Sequence, residues 1–376
     1  MRIAVLEWIT GSGLWRAPTQ STPDSSTSEL LLEGSAMLYA LAGDLQKSGH
    51  EVYSAIEPSI QSWASQHLLP HPPFVPVLTP FHDVHEDQTL CLVLEIWSDI
   101  ARQCDAAIVI APELEHWLPR LIAGLRHRNI PVIASSASFL EVATDKWRTS
   151  QHWRALGIHH PETIRLDHWL SSSLEEPSEH GWVLKQRWGA GGVGMRRFRT
   201  SVQLREHVQG MLQSEPADQA PSGKTNPEED LEAWIVQPWI MGQAASMAIL
   251  AGSHVQVLGT MRQHLIESPG PNPSTSYVGG SGPAVSVSKD VLESYGKRVL
   301  QGIPGQPRGW IGLDFVIDPQ GMWHAIEINA RLTSSYLGYR KWLGPRLADA
   351  FLTGDASLCP VGLQPESRFS LADFRG

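Results

Sequence analysis

Two short runs, 310–317 (Trp-Ile-Gly-Leu-Asp-Phe-Val-Ile) and 322–328 (Met-Trp-His-Ala-Ile-Glu-Ile), flank Asp318-Pro319-Gln320-Gly321 and constrain this chain more than any other stretch. Apolar, β-branched and aromatic residues around an Asp-Pro…Gly turn read as a β-hairpin. Side chains alternate along a strand, so Glu327 and Asn329 share a face. Pairing around the turn brings Asp314 near Glu327. Two carboxylates and an amide oxygen are hard ligands suited to Mg²⁺ that keeps some waters and takes phosphate oxygens as well. The alternative is a charged hairpin face in solvent. The apolar neighbours Phe315, Ile317, Trp323, Ile326 and Ile328 favour a half-buried sheet instead, where unpaired acids are costly.

A second signal lies upstream. Trp182-Val183-Leu184-Lys185 reads as a strand entering Gly189-Ala190-Gly191-Gly192-Val193-Gly194. The spacing is formally G-x-G-x-x-G, but the dinucleotide fingerprint needs a helix directly after the glycines. Here Met195-Arg196-Arg197-Phe198-Arg199 follows, which reads as a returning strand. A lysine before a glycine-rich strand–turn–strand suggests a flap whose amides cover phosphates while the ammonium supplies charge. No Gly-Lys-Ser/Thr ends the loop, and no His-Arg-Asp or Asp-Phe-Gly triplet occurs, so neither a Walker loop nor a protein kinase is indicated. An ordinary glycine-rich hairpin is the competing reading.

With 376 residues the chain has room for two or three domains. Its net charge of −10, with no long basic run, argues against a nucleic-acid partner. No apolar stretch approaches the roughly 18 residues of a membrane span, and the start Met1-Arg2-Ile3-Ala4-Val5-Leu6-Glu7 does not read as a signal peptide. The isolated Cys91, Cys104 and Cys359 fit a reducing cytoplasm. His82-x-x-His85-Glu86-Asp87 reads as a solvated loop rather than a zinc site, and the many tryptophans as packing residues.

Strands over 2–9, 52–56, 105–110 and 130–134 alternate with helices over 29–48 and 118–128, the pattern of a parallel sheet with covering helices. Thr144-Asp145-Lys146 opens a further helix that Gly157 closes. The aperiodic, Pro-rich stretch 214–230 reads as an exposed insertion, and strands resume from Trp234.

Lys146, Lys185 with its glycine flap, Gln237-Pro238-Trp239-Ile240, Asp314 and Glu327-x-Asn329-x-Arg331 occur in one order. That order resembles the ATP-grasp superfamily of carboxylate–amine ligases. Leu6-Glu7-Trp8-Ile9-Thr10-Gly11-Ser12-Gly13, Arg262-Gln263, Tyr277-Val278-Gly279-Gly280 and 327–336 look in addition like the tyramine–glutamate ligase group, which serves methanofuran-type cofactor synthesis and tetrahydromethanopterin-linked C1 metabolism. The resemblance implies an α/β fold of ATP-grasp architecture. Its parts would be an N-terminal Rossmann-like preliminary domain (1–138), a small central flap-bearing domain (139–213), the insertion 214–230 and a C-terminal α+β domain (231–376).

The resemblance also implies ATP as cofactor with two Mg²⁺ ions (Mn²⁺ as a substitute) held by Asp314, Glu327 and Asn329. Lys146 and Lys185 would neutralise phosphate oxygens, and Gly189, Gly191, Gly192 and Gly194 would close over the γ-phosphate. Arg331 and Arg262 would steady transferring phosphate or a tetrahedral oxyanion. Adenine needs one backbone acceptor and, two residues on, one donor. Pro238 keeps its carbonyl and Ile240 its N–H, with Gln237 and Trp239 alongside. Ala244 stands where many relatives carry a ribose-binding acid, and Ala330 where proline is frequent. The implied partners are small-molecule acids and amines, with no nucleic acid and no membrane, in a cytoplasmic homodimer. Rival expectations are a dipeptide-forming or acyl-thiol-forming ATP-grasp ligase and a nucleotide sensor without turnover.

Overall fold

The computed structural model describes residues 1–11, 25–67, 72–78, 86–172, 180–189, 192, 194–213, 231–267, 275–359 and 365–371. The N-terminal part begins with a parallel sheet of β1 (Arg2–Glu7), β2 (Glu51–Ile56), β3 (Val75–Leu78) and β4 (Ala106–Ile110), in the order β3-β2-β1-β4. Every residue of Ile3–Glu7 and of β4 is buried, as expected of parallel strands covered on both faces. The covering helices are α1 (Ser25–Lys47), α2 (Pro58–His67), α3 (Glu86–Ala101) and α4 (Trp117–His127). Sequence periodicity did not mark α2, α3 or β3.

The expected strand over 130–134 is a single parallel bridge, Ala107 to Val132. Pro131 has no N–H to extend the ladder, and Ala134 N–H turns back on the Val132 carbonyl at 3.1 Å. Glu86 opens α3 rather than ending a loop. His82, His85, Ser12, Gly13 and the insertion 214–230 lie outside the described residues.

Helices α5 (Ala137–Ala143) and α6 (Lys146–Ala155) lead to a small antiparallel sheet. It comprises β5 (Ile164–Arg165), β6 (Trp182–Gln186), β7 (Arg196–Phe198) and β8 (Trp234–Pro238), in the order β5-β8-β6-β7, packed on α7 (Leu166–Ser171) and α8 (Ser201–Gln213). Strand β8, grouped by sequence with 231–376, thus pairs within the flap's sheet.

The rest is a six-stranded antiparallel sheet, β13-β12-β9-β10-β11-β14. Its strands are β9 (Gln243–Ala251), β10 (Val255–Glu267), β11 (Thr275–Gly282), β12 (Gly309–Ile317), β13 (Trp323–Asn329) and β14 (Ser367–Ser370). Helices α9 (Lys289–Leu300), α10 (Tyr336–Leu343) and α11 (Arg346–Thr353) accompany it.

One large hydrophobic core runs through both the parallel sheet and the six-stranded sheet. Buried polar ties reinforce it: Arg340 grips Asp44 of α1 with Nε at 2.7 Å and Nη2 at 2.5 Å, and Tyr336 Oη donates to the same carboxylate at 2.9 Å. The flap's sheet has a separate, smaller core of Leu166, Trp169, Trp182, Leu184, Phe198, Leu204, Val208 and Val236.

Candidate active site

The hairpin β12–β13 pairs with Asp314 opposite Glu327 and Gly312 opposite Asn329, with a bulge between Asp314 and Phe315. Asp318 sets the turn by accepting from Gln320 N–H (2.9 Å) and Met322 N–H (2.8 Å). Asn329 Nδ2 donates to Asp314 Oδ2 at 3.1 Å, so the amide lies beside the carboxylate pair.

Two lysines face these acids. Lys146 Nζ lies 3.3 Å from Glu327 Oε2 and donates to the Gly189 carbonyl at 2.6 Å, joining the hairpin to the root of the flap. Lys146 is held firmly because Asp145 caps α6, accepting from Trp147 N–H (3.0 Å) and Arg148 N–H (3.1 Å). The same buried carboxylate takes Nε (2.8 Å) and Nη2 (2.7 Å) of Arg187, which follows β6. Lys185 points into the same space from β6.

The electrostatics follow from this crowding. Burial pushes the Lys185 ammonium down to about 8, with Lys146 adding repulsion while Glu327 and Asp314 resist. Burial would raise Glu327, but Lys146 and Lys185 outweigh it and hold the carboxylate below its ordinary value. Asp314 is pushed up by burial and then by the charge of Glu327. It is a carboxylate short of positive charge, with the Asn329 amide hydrogen-bonded to it, and so suited to a hard divalent cation. Among the described residues no group of three His, Cys, Asp or Glu side chains could hold a metal. A cation here would therefore depend on Asn329, water and phosphate for further ligands.

Several expected residues lie apart from this cluster. Arg262 is exposed, whereas its neighbour Gln263 donates through Nε2 to Asp314 Oδ1 at 3.0 Å. Strand alternation places Gln263 on the acids' face and turns Arg262 to the other. The Gln237 side chain is buried and donates through Nε2 to Thr163 Oγ1 at 2.7 Å, which ties β8 to the segment before β5. Trp239 N–H goes to the Gly181 carbonyl at 2.9 Å, and its ring lies 4.4 Å from the Arg197 guanidinium. Pro238 and Ile240 flank it in the chain. Of the flap glycines, Gly192 and Gly194 adopt φ of 72° and 73°, which side chains disfavour, and Gly189 supplies the carbonyl that Lys146 grips. Gly191 lies outside the described residues.

Arg331 does reach the cluster but is already paired. Its Nε donates to both oxygens of Glu113 at 3.0 and 3.1 Å, and its Nη2 lies 3.0 Å from Glu113 Oε2. Sequence reading missed Glu113 and Arg187, and gave Gln263 no role although it stands in one of the quoted motifs. A signal existed for Glu113, which follows β4 at the carboxyl end of a parallel sheet, where ligands gather in α/β folds. Glu7 closes β1 at the same edge. Its carboxylate accepts from Ile9 N–H (3.1 Å) and Thr10 N–H (2.7 Å), yet burial raises it to about 7.

The family model that describes the ATP-grasp domain matches residues 143–335, just over half of the chain. Over 219 residues the chain is 26% identical to the carbamoyl phosphate synthase large chain of Clostridium botulinum, covering 56% of this chain and 18% of that one. Over 210 residues it is 23% identical to a D-alanine–D-alanine ligase of Alcanivorax borkumensis, covering 54% of this chain and 60% of the relative. The chain thus spans less than two thirds of either relative. An Archaeoglobus fulgidus structure described as an ATP-grasp superfamily protein superimposes with a TM-score of 0.61 at 18% identity, covering 98% of both chains. The L-amino acid ligase of Bacillus licheniformis gives 0.56 at 16% identity, covering 96% of this chain and 74% of the other. The match over 143–335, set on the mixed α/β fold and on the hairpin and flap above, establishes that this chain belongs to the ATP-grasp family.

Proposed function

We propose that the protein is an ATP-dependent carboxylate–amine ligase: ATP, an acid and an amine yield an amide, ADP and phosphate. The observation that carries this reading is the half-buried Asp314–Glu327 pair facing the buried Lys146 and Lys185. A nucleotide triphosphate with its metal supplies the positive and negative charge that this arrangement balances.

A carboxylate does not react with an amine in water. Transfer of the γ-phosphoryl group to one carboxylate oxygen gives an acyl phosphate and ADP. Attack by the amine nitrogen then forms the C–N bond, breaks the C–O bond to phosphate and releases a proton. Such a transfer needs charge neutralisation and alignment more than covalent help. Lys146 and Lys185 would neutralise phosphate oxygens from two elements. Asp314, Glu327 and Asn329 would hold magnesium, which when bound would supply further positive charge to those oxygens. The strand–turn–strand from Lys185 to Arg196 would cover the phosphates and keep water from the acyl phosphate. Arg331 would donate hydrogen bonds to the oxyanion formed when the amine adds. Pro238 C=O and Ile240 N–H would receive the adenine edge.

For substrates we favour the side-chain carboxyl of glutamate and an aromatic amine such as tyramine or tyrosine, on the motifs at 6–13, 277–280 and 327–336. A second reading, amino-acid dipeptide ligation, is favoured by the likeness to D-alanine–D-alanine ligase and L-amino acid ligase. Purified protein with MgATP, a panel of acids and a panel of amines tests both. ADP release that requires acid and amine, with the amide seen by mass spectrometry, supports ligation, and the productive pair chooses between the substrates. Tight ATP binding with no ADP release under any pair would sink the ligase in favour of a sensor.

A further inference from the structure

We propose that Glu113 is a positioning residue that aims Arg331 at the reacting centre; this rests on the role given to Arg331 above. Arg331 follows the end of β13, and its long side chain is anchored by its own backbone at one end only. Glu113 comes from the opposite sheet, 218 positions away in the chain, at the carboxyl end of β4. Both side chains are withdrawn from solvent, with 10% of Arg331 and 3% of Glu113 exposed. Nε and Nη2 form one edge of the guanidinium, and both lie on the Glu113 carboxylate. Nη1 donates to the Leu332 carbonyl at 3.1 Å.

A guanidinium carries five N–H bonds. Hydrogen bonds among the described residues take up Nε–H and one N–H of Nη1, and Nη2 lies within ion-pair distance of Glu113 Oε2, so that one N–H on Nη1 and one on Nη2 are left on the far side of the group from Glu113. That remaining pair is what Arg331 has to offer an oxyanion, and its direction is fixed by the grip on the other edge. Glu113 also cancels the charge of Arg331. The arginine can therefore donate directed hydrogen bonds beside Lys146 and Lys185 without adding an unpaired positive charge.

A plain staple between the two sheets is the competing role, and the molecule supplies its own control. Asp44 of α1, with Arg340 and Tyr336 of α10, ties the helices that pack beside the same two sheets, without touching Arg331. The experiment uses the full chain and compares Glu113→Gln, Arg331→Lys, the double variant and Asp44→Asn. Positioning predicts that Glu113→Gln lowers kcat about 10- to 100-fold, with KM for ATP within about twofold of wild type. It predicts that the double variant is no slower than the worse single one. It also predicts that Asp44→Asn lowers Tm by at least as much as Glu113→Gln while keeping kcat. Losses that multiply in the double variant, or an equal loss of kcat in Asp44→Asn, would overturn it.

A second readout does not need turnover. In protein labelled with ¹⁵N-arginine, the Arg331 Nε–H should exchange slowly and should lose that protection in Glu113→Gln. An Arg331 Nε–H as labile as that of exposed Arg102 overturns the proposal even if no acid–amine pair is ever found. Conversely, a wild type that releases no ADP with any pair removes the ligase reading and leaves this signal to decide whether Glu113 holds Arg331.

Discussion

The acids and the flap lysine meet at one point but are carried by cores of different size. Asp314 and Glu327 sit on a hairpin within the large core shared by the parallel sheet and the six-stranded sheet. Lys185 sits on β6, whose apolar face belongs to the small separate core under α7 and α8. A segment with fewer buried apolar contacts opens at lower free energy. By that principle the charges on the large core are the harder to displace, and the sheet that carries Lys185 is the one expected to open first. Lys146 bridges the two, reaching Glu327 on one side and the Gly189 carbonyl on the other. This division suits an enzyme that must admit a nucleotide and then enclose it.

The largest test of that division is on the rigid side. Glu327→Gln should reduce acid- and amine-dependent ADP release by about 10³-fold or more, the scale for removing a group that stabilises transferring charge. The fold should also suffer, because Glu327 is the counter-charge for two buried lysines. Leaving buried cations unpaired is costly, and a lowered thermal midpoint should accompany the lost activity. Full activity in this variant would mean that the hairpin is not the seat of the chemistry.

On the side of the small core the two effects should part company. Lys185→Met should slow turnover about 10²-fold without loss of stability. In the native protein burial pushes this ammonium down to about 8 from its ordinary 10.5, so the folded state pays to keep it charged. The sign follows from proton binding: between about 8 and 10.5 the unfolded chain binds more protons than the native one, so wild-type stability rises with pH there. Met in its place should therefore gain on the order of 1–3 kcal/mol at pH 7, a gain that shrinks as the pH passes 8. Denaturant titrations at pH 7 and pH 10 measure it, and a variant destabilised at pH 7 would break the contrast with Glu327→Gln.

Both variants concern residues that the sequence made legible, and the reason is local. The hairpin needs only alternation and a turn, and Asp145-Lys146 needs only a capping acid ahead of a helix. Residues whose importance comes from distant elements were not legible. Glu113 meets Arg331 from another sheet, and period-two alternation alone cannot say which face of β10 looks toward β12. The resemblance singled out Arg262 for an oxyanion, whereas the contact to Asp314 is made by its neighbour Gln263. The contact of Gln237 was not legible for a related reason: its partner, Thr163, lies on a segment that pattern alone does not bring alongside. In the parallel sheet the Pro131 break shows how one residue without an N–H turns an expected strand into a single bridge.

Glu7 tests the rigid side without touching the phosphates. Its carboxylate is raised from its ordinary 4.5 to about 7 by burial, against the backbone hydrogen bonds of Thr10 and Ile9. Here the native state binds more protons than the unfolded chain between about 4.5 and 7, so this group's contribution makes stability fall as pH rises through that window. The expected fall is about 1–3 kcal/mol. In Glu7→Gln that part of the slope should vanish, whatever the offset from an imperfect amide fit. An unchanged slope between pH 4.5 and pH 7 would mean that Glu7 is not held in a costly ionised state.

The smallest effects come from the two neighbours on β10 and bear on which face of the sheet works. Arg262 is exposed, while Gln263 donates to the very carboxylate that burial and Glu327 hold short of positive charge. Removing that donor by Gln263→Ala should leave Asp314 less well oriented and lower turnover severalfold, by roughly the 1 kcal/mol of one hydrogen bond. Arg262→Ala removes a charge from the opposite face and should change turnover by less than about twofold, as surface substitutions away from special features generally do. The pair must be measured side by side, at saturating ATP, because the order of the two effects is the discriminating quantity. If Arg262→Ala proves the more damaging, the strand presents its other face to the substrate, and the arginine rather than the glutamine belongs to the site.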